Sequence, residues 1–138
     1  MMYTNTFIQV APDSPAISGI VPEVKGESKS VAVLEHELLS SHPYTFTNEE
    51  LIFEVHVRRL GLSESEVKAC RQELWDALFS KSHACMRASS LTKRYGWGVH
   101  YDERGKMALY PLGSHEYQRF TRDTDGLKLL AAMRSKRS

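Results

Sequence analysis

The spacing of apolar and polar positions changes several times along the chain, and each change marks an element. Residues 4–10, Thr-Asn-Thr-Phe-Ile-Gln-Val, are rich in β-branched and aromatic types and run into the turn cluster Pro12-Asp13-Ser14-Pro15, which predicts an N-terminal strand. Pro12, Pro15, Gly19, Pro22 and Gly26 then break any continuous helix, so 11–30 reads as an extended segment with room for a short edge strand at Ile17 to Val21. Beyond it, Ser30 can cap a helix through Val31, Leu34, Leu38 and Leu39, although the Val-Ala-Val start also fits a strand.

The next two helices carry stronger end signals. Thr47 and Glu50 have capping-box spacing, Leu51, Phe53, Val57 and Leu60 supply an apolar side, Arg58 and Arg59 suit the last turn, and Gly61 can terminate the helix. Ser63 and Glu66 repeat the box. After them Val67, Cys70, Leu74, Ala77 and Leu78 recur at three- and four-residue steps, which places Cys70 on the buried stripe. A connection as short as Gly61-Leu62-Ser63 predicts a helical hairpin.

Past Met86 the period falls to two. Trp97 to Tyr101 and Lys106 to Tyr110 predict a β-hairpin. With Glu103-Arg104-Gly105 as a three-residue loop and Gly105 left-handed, Tyr101 faces Met107 and Val99 faces Leu109. Trp97 joins that apolar face, while His100, Ala108 and Tyr110 occupy the other, and a one-residue slip would mix the two sets. Ser114 caps a short helix through Tyr117 and Phe120, Asp125-Gly126 precedes the apolar segment Leu127 to Met133, and the basic tail 134–138 frays. The expectation is therefore one compact α+β domain over residues 1–138: an N-terminal strand, a helical hairpin, an antiparallel β-hairpin and short C-terminal helices.

Composition agrees with one conventional core. At 138 residues, 41% hydrophobic and 25% charged, the chain resembles an ordinary globular domain, and no apolar run approaches the roughly 20 residues that cross a bilayer. Only two cysteines, Cys70 and Cys85, and an N-terminus without a basic start and apolar core point to a reducing cytoplasm and no membrane. Charge is uneven. Residues 1–86 hold 7 Lys and Arg against 12 Asp and Glu, net −5, and residues 87–138 hold 11 against 5, net +6. Either the two halves attract each other or the basic half meets an anionic partner.

Cations, hydroxyls and aromatics are densest between Arg87 and Gly98. Arg87, Ser89, Thr92, Lys93, Arg94, Trp97 and His100 are the candidate ligand-binding residues, because hydroxyls and backbone N–H groups at a helix start can cradle an anion and an arginine can hold phosphate or carboxylate bidentately. The same residues also fit a structural role, with Ser89 or Ser90 capping a one-turn helix, Lys93 and Arg94 at its C-terminal end, and Gly96 ending it. Tyr95, Trp97, Tyr101 and Tyr110 beside cations suit base stacking as well as a hairpin core.

Other chemistry is thinner. Gly96-Trp97-Gly98 lacks the third glycine of a dinucleotide site, and no Gly-Lys-Ser/Thr phosphate loop occurs. His36-Glu37 begins a zinc-protease helix but Ser40 stands where the second histidine belongs, so no metal site is assigned. Cys85, with His83 and Arg87 nearby, is a candidate activated thiol that lacks a recognisable third group.

The string Arg87-Ala88-Ser89-Ser90-Leu91-Thr92-Lys93-Arg94-Tyr95-Gly96-Trp97-Gly98-Val99-His100 resembles the signature of a bacterial family of small proteins classified as a domain of unknown function. Asn5-Thr6-Phe7-Ile8 and Ala132-Met133-Arg134-Ser135 resemble its end motifs, and proline is usual there where this chain has Ser90. That resemblance implies kinship over nearly the whole chain and names no activity, cofactor or catalytic residue. The functional expectation is a binding module for a small anionic ligand, a nucleotide or phosphorylated metabolite, using residues 87–100. The alternatives are nucleic-acid binding through the basic half with Arg134, Lys136 and Arg137, or an enzyme using Cys85 or His100.

Overall fold

The computed structural model describes residues 3–135. Four strands, β1 (Thr6–Gln9), β2 (Trp97–Tyr101), β3 (Met107–Pro111) and β4 (Lys128–Ala131), form one mixed sheet in the order β3-β2-β1-β4. β1 is antiparallel to β2 and parallel to β4. Five helices surround it: α1 (Val31–Ser41), α2 (Asn48–Arg59), α3 (Glu64–Leu78), α4 (Ser90–Lys93) and α5 (His115–Arg122). The class is α+β, and none of the described helices is long and apolar enough to cross a membrane.

Local signals act where they were read. Ser30 accepts the Val33 N–H at the start of α1, and both capping boxes close: Thr47 with Glu50, and Ser63 with Glu66. Each box satisfies two N–H groups that a helix start otherwise leaves without partners. The β2–β3 hairpin has Tyr101 opposite Met107 and Val99 opposite Leu109. Gly105 turns at φ 80°, its N–H donates to the Asp102 carbonyl at 3.1 Å, and Asp102 Oδ1 accepts from the N–H groups of Arg104 and Lys106 at 2.9 Å each.

Alternation then sorts the core. Ile8, Val99, Tyr101 and Met107 point to one face and pack with Leu34, Leu38 and Leu39 of α1 and Leu51 and Val55 of α2. Phe7 points to the other, where Tyr117 meets it edge-on and Phe120 stacks on it, both with centroids 5.0 Å apart. Helix α3 lies outside both layers, joined to α2 through a smaller cluster of Phe53, Val57 and Leu78 with Val67, Leu74 and Trp75 at its margin.

Three local expectations change. The terminal apolar run forms strand β4 instead of a further short helix, because pairing beside β1 satisfies its backbone and places Leu129 and Leu130 on opposite faces, and so short a run has no decisive period of its own. Ile17 to Val21 is no strand. It is a strap over Trp97, held by the Ile20 N–H on the Tyr95 carbonyl and the Trp97 indole N–H on the Ile20 carbonyl, each 2.8 Å, with Ile17 90% exposed. Cys70 is exposed, at a kink in α3 with φ −123° and ψ 20°, since α3 buries only the narrow side that faces α2. Residues 136–138 of the basic tail lie outside the described residues.

Close approach explains Gly98 on the α5 face. A Cβ there would sit 2.5 Å from Phe7 Cζ and 2.7 Å from Tyr117 Cε2, so Gly98→Ala is expected to cost about 1–3 kcal/mol through overpacking. Urea unfolding checks this, with an unchanged midpoint as the contrary result.

Candidate functional site

The structure divides the 87–100 segment between compartments. Arg87 closes the outer edge of β4: its Nε donates to the Ala131 carbonyl and its own carbonyl accepts from Met133 N–H, both at 2.8 Å. Ser89 caps α4, and Thr92 is fully buried with its hydroxyl donating to the carbonyls of Met86 and Ser89. Lys93 ends α4 and Arg94 follows as its exposed C-cap. Trp97 lies under the strap and edge-on to His36. Tyr101 is core, and Tyr110 is half-buried with its hydroxyl on another tyrosine.

His100 points the opposite way from Val99 and Tyr101, stacking on Phe120 at 4.3 Å. Tyr44 Oη lies 2.8 Å from its Nδ1 and 2.7 Å from Tyr110 Oη, forming a three-member hydrogen-bonded chain. Burial lowers the His100 pKa against the pull of Asp102, and burial with the Tyr110 contact raises that of Tyr44, so both stay neutral near pH 7. Tyr44 holds a left-handed φ of 55°, pinned by its N–H on the Met107 carbonyl and by Met107 N–H on the Phe46 carbonyl. Arg87 and His100 thus lie in separate compartments and share no concavity.

A second polar group sits inside the principal core. Tyr101 is 0% exposed, and its hydroxyl has no hydrogen-bond partner among the described residues. Burial raises its pKa, and Cys85, Tyr3, Glu35 and Glu49 add to the shift. Tyr3 meets the Tyr101 ring edge-on at 5.3 Å and reaches Cys85 Sγ with its own hydroxyl at 3.5 Å. That contact is the main reason the Tyr3 hydroxyl is raised, with the nearby Arg87 guanidinium acting against it. Glu35, on α1, accepts the Ser89 hydroxyl at 2.7 Å, and burial outweighs this bond to push its carboxyl up to about 7.

The segment His83-Ala84-Cys85 opens this group to solvent on two sides. A cleft of about 270 Å³ contains Glu35, His56, Arg59 and His83. Another, of about 200 Å³, contains Tyr3, Asn48, Glu49, His83 and Cys85. His83 belongs to both and is held by Nε2 on the Leu78 carbonyl, 2.7 Å away. Tyr3, Glu35, His83 and Cys85 line these clefts; Ser89 meets them through Glu35, Arg87 through Tyr3, and Tyr101, in ring contact with Tyr3, lines neither. Glu35 had one legible signal: it falls four residues after Val31 and four before Leu39, an acid on an apolar stripe. Tyr3 and Tyr101 had none, because only folding brings residue 3 to residue 85. Among the described residues no three His, Cys, Asp or Glu gather as a metal site.

Glu35 makes stability depend on pH with a definite sign. A carboxyl raised from 4.5 to about 7 keeps in the folded state a proton the unfolded chain has already lost, so stability falls as pH rises through that window. At about 1.4 kcal/mol per pKa unit, the penalty above pH 7 is on the order of 3 kcal/mol. Glu35→Gln should remove it, so that the variant gains on the wild type between pH 4.5 and 8 in urea unfolding. A constant difference across that range contradicts the assignment.

No curated protein and no solved structure matches the chain. A family match covers residues 1–138, every position from the N-terminal strand to the basic tail. The chain belongs to the Family of unknown function DUF6157.

Proposed function

We propose that the protein binds a small ligand through an anionic or strongly accepting oxygen, in the cleft bounded by Tyr3, Asn48, His83 and Cys85. The carrying observation is the Tyr101 hydroxyl, fully buried and without a protein partner among the described residues. Such a group costs about 1–3 kcal/mol when nothing accepts from it, and native cores satisfy nearly all of theirs. The Tyr3 ring packs edge-on against the Tyr101 ring, and the Tyr3 hydroxyl reaches the Cys85 thiol at 3.5 Å with the Arg87 guanidinium nearby. Raised hydroxyl pKa values keep both tyrosines protonated, hence able to donate.

This reading keeps Arg87 and Ser89 from the 87–100 segment and the anionic class of ligand. Size narrows that class. Ligand pockets for larger organic molecules usually enclose about 300–1,000 Å³, so a cleft of about 200 Å³ suits a short carboxylic acid or a small phosphorylated compound better than a whole nucleotide.

Thermal-shift measurements with acetate, inorganic phosphate and a panel of small carboxylic and phosphorylated metabolites should give saturable stabilisation. Tyr101→Phe should leave the unliganded protein as stable as before or up to about 1 kcal/mol more so, since it removes an unmade hydrogen bond, and should abolish the ligand-induced shift. A shift that survives Tyr101→Phe, or none with any compound, overturns the proposal.

A further inference from the structure

We infer that Cys85 is a nucleophile, with His83 as its base, toward the carbonyl of a short-chain acyl ester or thioester held in the smaller cleft. The inference rests on the ligand site proposed above and adds a reaction to it. Both side chains line the same cleft of about 200 Å³, together with Tyr3. The thiol is free and half-buried, so a small substrate can reach it.

The orientation of His83 follows from one bond. Leu78 is the last residue of α3, and its carbonyl oxygen, 2.7 Å from His83 Nε2, can only accept. Nε2 therefore carries the hydrogen, and Nδ1 of the neutral ring keeps its lone pair, with no hydrogen-bond partner among the described residues. Edge-on contact with Phe79 at 5.5 Å steadies the ring. A nucleophile, a base lining the same cleft and a third group fixing the base's tautomer are parts that activated-thiol chemistry uses. Here the third group is a main-chain carbonyl, invisible to a search for Asp or Asn.

Tyr3 and Tyr101 complete the arrangement. Tyr3 Oη is 3.5 Å from Sγ, and the Tyr3 ring meets edge-on, at 5.3 Å, the ring of Tyr101, whose hydroxyl has no partner among the described residues. Donors held in a dry site and aimed where negative charge develops stabilise an oxyanion more than they stabilise a neutral carbonyl. The thiol proton passes to His83 Nδ1, a C–S bond forms, and the carbonyl electron pair moves onto oxygen to meet the tyrosyl hydroxyls. Collapse breaks the bond to the leaving alcohol or thiol, which takes the proton from His83. Water then hydrolyses the acyl-thioester, giving the acid and the free thiol.

Cys70 supplies an internal control, being exposed on α3 without a hydrogen bond or ring contact among the described residues. The full chain is treated with p-nitrophenyl acetate, with p-nitrophenolate release followed optically and acetylated positions mapped by mass spectrometry. Cys85 should be acetylated ahead of the more accessible Cys70. His83→Gln, whose amide N–H still donates to the Leu78 carbonyl but cannot take a proton, should slow Cys85 about 100-fold and leave Cys70 unchanged. Equal or faster labelling of Cys70, or an undiminished rate in His83→Gln with its melting temperature intact, rejects the nucleophile. If Cys85 stays unlabelled while Tyr101-dependent stabilisation by carboxylates or phosphates persists, the chemistry falls and the binding site stands. Loss of both rejects both.

Discussion

The left-handed turn at Gly105 sets the register of β2 against β3, and the assignment of His100, Tyr101 and Tyr110 to their compartments depends on that register. Side chains alternate across a sheet, so residues 97, 99 and 101 share one face while 98 and 100 share the other. A slip of one position would send His100 into the α1 and α2 core and carry Tyr101 to the α5 side. Asp102 guards against the slip by accepting two turn N–H groups on one carboxylate oxygen. Two polar networks that never touch therefore arise from adjacent residues of one strand.

Those networks differ in how completely they are satisfied. On the α5 face His100, Tyr44 and Tyr110 share hydrogen bonds, and the aromatic ring of Phe120 covers them. Such a closed chain contributes rigidity, and it compensates for the left-handed backbone at Tyr44. Among the described residues, the opposite core leaves the Tyr101 hydroxyl without an acceptor and holds Glu35 on a single side-chain hydrogen bond. Low dielectric makes such groups costly, and it also strengthens whatever they eventually bind. Stability alone argues against keeping such groups there.

Helix α3 shows how little of an amphipathic pattern need be buried. Val67, Leu74 and Leu78 line the contact with α2, whereas Cys70 and Ala77 on the same sequence stripe remain exposed. The helix still matters to the site, because its C-terminal carbonyl at Leu78 anchors His83. End groups of a helix lack intrahelical partners, and here a ring nitrogen both caps the helix and takes its own orientation from the cap.

The elements whose signals are local were legible in the sequence by itself. Ser30, Thr47 with Glu50, Ser63 with Glu66, and Ser114 each start a helix through a hydrogen bond spanning three residues, and Gly105 sets the hairpin through contacts within five. Such interactions need no knowledge of the rest of the chain. Of the candidate site, the segment from Arg87 to His100 was recognisable as concentrated chemistry and alternation already put Trp97 and His100 on opposite faces, but what covers each face followed only from packing against α1 and α5. Strand β4 depended on a partner more than a hundred residues away, and the run Leu127 to Met133 carried no period strong enough to choose without it. Tertiary structure alone brought Tyr3 to Cys85 and Ser89 to Glu35. Burial is a property of the assembled fold, and burial is what pushes Glu35 up to about 7 and deprives Tyr101 of water.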